Sequence, residues 1–137
     1  MLDFQRYIGI DYSGAETAES SLKGLRVYQA TAGTPAVEIQ PPPSPRKYWT
    51  RRGISHWPFD GWNIAPGRSV IAEVYPSLWR QAYPTEGRTG DQQDAYAVAA
   101  WLRDADADGR LAQALKPGLS DYERAVAGVE GWILGLC

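Results

Sequence analysis

The chain has almost none of the residues that build disulfides, zinc clusters or histidine-centred sites. Of its 137 residues one is cysteine, Cys137, and one is histidine, His56. A single thiol excludes an intramolecular disulfide and a thiolate metal cluster. It fits a reducing, cytoplasmic location. A serine hydrolase would have to combine His56 with Ser13 or Ser77 and an acid such as Asp60, and neither serine stands in a Gly-x-Ser-x-Gly elbow. Beside Trp57 and Pro58, His56 reads instead as a packed loop residue. Long apolar runs are missing too. None approaches the length of a membrane span, and the start of the chain, with Asp3 and Arg6, lacks the pattern of a signal peptide, so no membrane partner is expected. Positive charge is not in excess either. A net charge of -2 excludes a protein that coats nucleic acid, while leaving room for an enzyme that meets it through a local basic patch. No Walker-type phosphate loop is present.

What the chain does have is bulk. Six tryptophans and eight tyrosines supply large apolar surfaces, and 137 residues are enough for one domain that buries roughly two-thirds of its unfolded surface. Residues 5–12 read as a first strand, with Gly9 allowing close backbone approach and Ser13-Gly14-Ala15 as a turn. Alternation predicts strands at 25–30 and 36–40, joined through Gly33, Thr34 and Pro35 in a hairpin. The first forty residues thus form an antiparallel three-strand meander. Pro41-Pro42-Pro43-Ser44-Pro45 stops the third strand, and 46–54 is expected as a short helix. From Gly53 to Gly67 the composition reads as irregular. Val70 to Tyr75 is a buried strand by composition, ended by Pro76, with helical turns at 77–81. A helix runs over 91–103, another over 107–115, and Ser120-Asp121-Tyr122-Glu123 is a capping box that opens a last helix. Its stripe Tyr122, Ala125, Val126, Val129, Trp132, Ile133 and Leu136 is expected to face the core.

Four carboxylates stand out against this pattern. Asp11 ends the first strand, Glu73 interrupts the apolar run 70–75, and Asp91 and Asp94 open the helix at 91. A charge inside or at the end of a buried strand is costly unless it is paired or holds a cation. Asp91 and Asp94 are three residues apart and share a helix face, above the small residues Ala95 and Val98. A helix that lies close to the first strand would bring both acids near Asp11, and Glu73 completes the set if its strand lies beside the first. Oxygen ligands without histidine or cysteine suit Mg²⁺ or Mn²⁺ rather than zinc. Several carboxylates can hold two such ions about 4 Å apart and support phosphodiester hydrolysis. The alternative is that Asp91 caps the helix, Asp94 complements its dipole and Glu73 is solvated.

Gly9-Ile10-Asp11-Tyr12-Ser13-Gly14, Glu73-Val74-Tyr75-Pro76 and Asp91-Gln92-Gln93-Asp94-Ala95 resemble, in this order, motifs of the ribonuclease H-like superfamily. The second is similar to the Glu-x-x-Pro strand of an uncharacterised predicted-nuclease family within it, and the third to the Asp-x-x-Asp-Ala helix shared with Holliday-junction resolvases. The resemblance implies one reduced ribonuclease H-like α/β domain over 1–137. It implies Asp11, Glu73, Asp91 and Asp94 as catalytic acids, with Asp11, Glu73 and Asp94 on the metal and Ser13 facing the site. The chain departs from the family in one respect. Members carry a further strand before the Glu-x-x-Pro strand, and here Ile54 to Ser69 fills that interval, as if a central strand and helix were missing.

Two functions follow. One is a divalent-metal-dependent nuclease or phosphodiesterase acting on nucleic acid, with Arg51 or Arg52 of the cation-aromatic segment 46–52 holding a phosphate. The other is a non-catalytic relic or interaction module that forms a homodimer, since a small sheet with an open edge favours pairing with a second copy. Asp104, Asp106, Asp108 and Gly109 mimic the start of a calcium loop, but the twelfth position is Leu115 rather than glutamate, so a helix-helix turn is expected there.

Overall fold

The computed structural model describes residues 4–11, 24–43 and 53–136. Within them, Ser13, Arg51 and Arg52 do not fall, and most of the helix expected at 46–54 lies outside as well. The fold is mixed α/β. Strands β1 (Tyr7–Asp11), β2 (Arg26–Thr31) and β3 (Thr34–Glu38) form an antiparallel sheet in chain order. Tyr7 lies opposite Ala30, Gly9 opposite Tyr28 and Asp11 opposite Arg26. The hairpin turn is tighter than expected. Thr31 pairs with Thr34, so only Ala32 and Gly33 turn, and β3 begins before Pro35. Pro35 is tolerated because β3 is an edge strand.

A second sheet pairs β4 (Ile54–His56) with β5 (Ser69–Ile71) in parallel. A three-residue strand carries too little periodicity to be read from sequence, and β4 stands in the interval that looked irregular. Only the front of the apolar run 70–75 is paired as strand, and Glu73 makes a single bridge to Ile133. Short 3-10 turns follow at Pro76–Leu78 and Arg80–Ala82.

Helix α1 (Gly90–Asp108) is longer than the expected 91–103, and Thr89 rather than Asp91 caps it, closing a capping box with Gln92. It stops at Gly109, whose φ of 87° is a left-handed C-terminal cap. Asp104, Asp106 and Asp108 therefore lie within its last turns, not in a calcium loop. Helices α2 (Arg110–Ala114) and α3 (Asp121–Glu130) complete the chain, and α3 starts from the Ser120–Glu123 box as read.

The alternation of β1 decides how α1 docks. Tyr7, Gly9 and Asp11 share one face of the strand, and that face meets α1. The Tyr7 hydroxyl donates to Asp106 Oδ2 at 2.7 Å, and the Phe4 amide donates to the same oxygen at 3.2 Å. Gly9 has no room for a side chain, because a Cβ there would overlap the Ala95 carbonyl oxygen and stand 2.9 Å from the Ala99 nitrogen. The small residues that the sequence placed on this helix face are what lets strand and helix backbones touch. On the far side, Trp57, Trp79, Val98, Trp101, Leu111, Leu115 and Leu134 form the main core. Trp79 stacks on Trp101 with ring centroids 4.0 Å apart, and Trp57 Nε1 donates to the Leu115 carbonyl.

The last helix overturns one expectation. Its stripe does not pack inward: Tyr122 is 79% and Val129 80% exposed, and of the helix residues only Ala127 is buried. The reason is at Gly131, where the helix ends and the chain runs on beside Glu73. Trp132 and Leu134 reach the core from that extended run, so the helical phase is not continued to them.

Candidate functional site

Asp11, Asp91 and Asp94 are brought to one end of the β1–α1 contact by the same close approach. Asp11 is the last residue of β1, Asp91 lies in the first turn of α1 and Asp94 one turn further. The carboxyl of Asp94 is pushed above the ordinary carboxylate range first by burial, and further by the negative charges of Asp11 and Asp91. Arg80 opposes that shift. Its Nε stands 3.3 Å from Asp94 Oδ1, near enough for an ion pair. The contact is out of line for a hydrogen bond, so Oδ1 is buried with no hydrogen-bond partner.

Glu73 is placed differently. It lies two residues past β5, which pairs with β4 and not with β1, bridges Ile133, and is exposed. Glu73 is not among the charges that act on Asp94. Among the described residues no three acids, histidines or cysteines are close enough together to hold a metal ion with the side chains as they stand. His56, expected as a packed loop residue, is the exposed last residue of β4 and pairs with Asp60 at 3.4 Å.

Sequence reading missed the residues that flank Asp94. An open recess of about 370 Å³ adjoins the start of α1, lined among others by Arg80, Tyr83, Arg88, Thr89 and Gly90. Gln93, 3% exposed, holds its wall together. Its Nε2 donates to the carbonyls of Arg80 and Tyr83, both at 2.9 Å, and its Oε1 accepts from Arg88 Nε at 2.8 Å. Arg88 is spent on structure: its guanidinium also bonds the Pro84 carbonyl and lies 3.5 Å over the Tyr96 ring. Arg80 is the more accessible cation, its side chain 42% exposed. Nothing in Ser77-Leu78-Trp79-Arg80-Gln81 marks Arg80 out; the signal that could have found this wall is the second glutamine of Asp91-Gln92-Gln93-Asp94, a polar residue one step from the helix face that packs on the sheet.

No family model, curated protein or solved structure matches the chain. Among the described residues no helix is long and apolar enough to cross a membrane.

Proposed function

We propose that the chain is a reduced ribonuclease H-like domain acting as a divalent-metal-dependent nuclease or phosphodiesterase. The observation that carries the reading is Asp94, a carboxylate with an orphaned buried oxygen, pressed toward its neutral form by burial and two acidic neighbours and countered by one partly exposed cation. An acid in that condition is a cation ligand in waiting. The donor set fits Mg²⁺ or Mn²⁺ in kind, since it is carboxylate oxygen alone. Asp11 and Asp94 would hold the ion, with Asp91 beside them; Glu73, in its present place, would have to approach.

When bound, such an ion supplies Lewis-acid chemistry, drawing charge from a phosphodiester and making water a better nucleophile. The chain's own residues do the rest. Asp94 would hold the ion through its orphaned oxygen, in place of Arg80. Arg80, held at the recess by Gln93, then offers its guanidinium to a substrate phosphate, the role that sequence gave to Arg51 or Arg52. The experiment is Mn²⁺ titration of wild type, Asp11→Asn, Asp94→Asn and Arg80→Ala, followed by hydrolysis of DNA and RNA oligonucleotides. Both asparagine variants should lose binding. Arg80→Ala should bind Mn²⁺ more tightly, because a competing cation is gone, yet cleave less. Wild type that takes up no Mn²⁺ at millimolar concentration refutes the reading.

The second reading, a non-catalytic interaction module, is favoured by the exposed position of Glu73 away from β1.

A further inference from the structure

Opposite Asp11 on β2 stands Arg26. Residues directly opposite on one face of an antiparallel pair have Cβ atoms about 5 Å apart, close enough for an acid and an arginine to pair. The guanidinium is turned to β3 instead. Its Nη1 stands 3.6 Å from Glu38 Oε2, with the two side chains 30% and 18% exposed. Glu38 is the last residue of β3 and lies opposite Tyr28, two places along β2 from Arg26. Asp11, Arg26 and Glu38 therefore share the sheet face that meets α1. That helix fixes the glutamate: Gln92 Nε2 donates to Glu38 Oε1 at 3.3 Å. The arrangement parallels the one at Asp94. In each, a buried carboxylate oxygen with no hydrogen-bond partner among the described residues, Glu38 Oε2 or Asp94 Oδ1, has one arginine within ion-pair distance. The difference lies in which acid the arginine occupies. Arg80 sits on a proposed ligand, whereas Arg26 sits on the neighbour of one.

We propose that Glu38 is a positioning residue for the metal site: it holds Arg26 at β3 and so keeps that cation off Asp11. The inference rests on the reading of Asp11 as a metal ligand. An arginine on Asp11 would have to be displaced before a divalent ion could take the same oxygens, and that displacement would weaken the ion's binding. Glu38 gives Arg26 another carboxylate in advance. It touches neither ion nor substrate and acts through Arg26 alone. Gln92, which holds Glu38, stands in the first turn of α1 beside Asp91, so the restraint is built on the same helix end that carries the acids of the site.

Two measurements on the full chain test it. The first needs no metal: a crystal structure of Glu38→Gln. The variant keeps the shape of the side chain and its contact with Gln92 but offers Arg26 no charge, so the guanidinium should turn to the Asp11 carboxylate and bond it. Glu38→Ala, with no side-chain acceptor at 38, should show the same. An arginine that stays at position 38 or turns to solvent in both variants overturns the proposal. The second is Mn²⁺ titration of wild type, Glu38→Gln, Arg26→Gln and the double variant. Glu38→Gln should weaken binding by about fivefold or more, as expected for a competing pair that is largely out of water. In the Arg26→Gln background the same change should cost no more than about twofold, the part due to one screened negative charge. Equal losses in the two backgrounds, which a direct ligand role or a bare field effect of Glu38 would give, overturn the proposal. Wild type that takes up no Mn²⁺ refutes the nuclease reading, while the metal-free structures still confirm or overturn the hold of Glu38 on Arg26.

Discussion

Gly9→Ala separates two opposite expectations. In an ordinary strand interior alanine is the better residue, and replacing glycine should stabilise by roughly 0.5–1 kcal/mol. At this position the added methyl group would overlap the Ala95 carbonyl oxygen and lie 2.9 Å from the Ala99 nitrogen. Both are helix backbone, so no side chain can rotate out of the way and shortening Ala95 or Ala99 gives no relief. β1 and α1 must separate along their length. Overpacking of this kind costs about 1–3 kcal/mol, and a backbone obstacle belongs at the upper end. For a chain of this length about 3 kcal/mol lowers the melting temperature by about 10 °C. Gly33→Ala is the control, because a Cβ there meets nothing within 4 Å. Thermal unfolding of the two variants should show a large loss for the first and little change for the second. A Gly9→Ala protein that melts at or above the wild-type temperature would refute the backbone contact on which the placement of Asp11 depends.

Three further outcomes are expected. Tyr7→Phe removes a donor from the Asp106 carboxylate in a site that is 1% exposed, and denaturant titration should show a loss of about 1–3 kcal/mol. Thr89→Ala removes the cap of α1 and should cost about 1 kcal/mol in the same assay, with Thr89→Gly costing less. Glu123 is held below its usual 4.5 first by the Ser120 amide and then by the Ser120 side chain, so its contribution to folding is complete above that value and is lost as pH falls through the lowered one. The gap in melting temperature between wild type and Glu123→Ala should accordingly be widest at neutral pH and close in acid.

The parts of the fold legible in the sequence are those in which one local pattern was enough. Alternation gave the β1–β3 meander, the Ser120 box gave the start of α3, and Gly9 with Ala95 gave the close helix-strand approach. What sequence could not supply was partner choice. Nothing in Val70 to Tyr75 says that the strand pairs with β4 rather than β1, because Ile54–His56 is too short to register as a strand. Glu73 was grouped with Asp11 on that missing information. The α3 stripe failed for a related reason. Helical spacing shows which residues share a face but not which way the face turns, and Gly131 breaks the phase before Trp132 and Leu134. Arg80 is not legible because its role arises from a loop folding back on α1.

The arrangement around β1 links stability to the candidate chemistry more tightly than a list of acids suggests. Successive positions on one face of the strand each meet α1: Tyr7 through a buried hydrogen bond, Gly9 through backbone contact, Asp11 through charge. The first two are favourable and fix the distance between strand and helix. The third is unfavourable, since Asp11 and Asp91 press Asp94 toward its neutral form while Arg80 counters only in part. A domain under selection for stability alone would relax that end of the contact by a change as small as Asp94→Asn. The proposed cation would relieve the same charge, so the acids at this end of β1, rather than Glu73 or the acids of the last turns of α1, are where that proposal is to be tested.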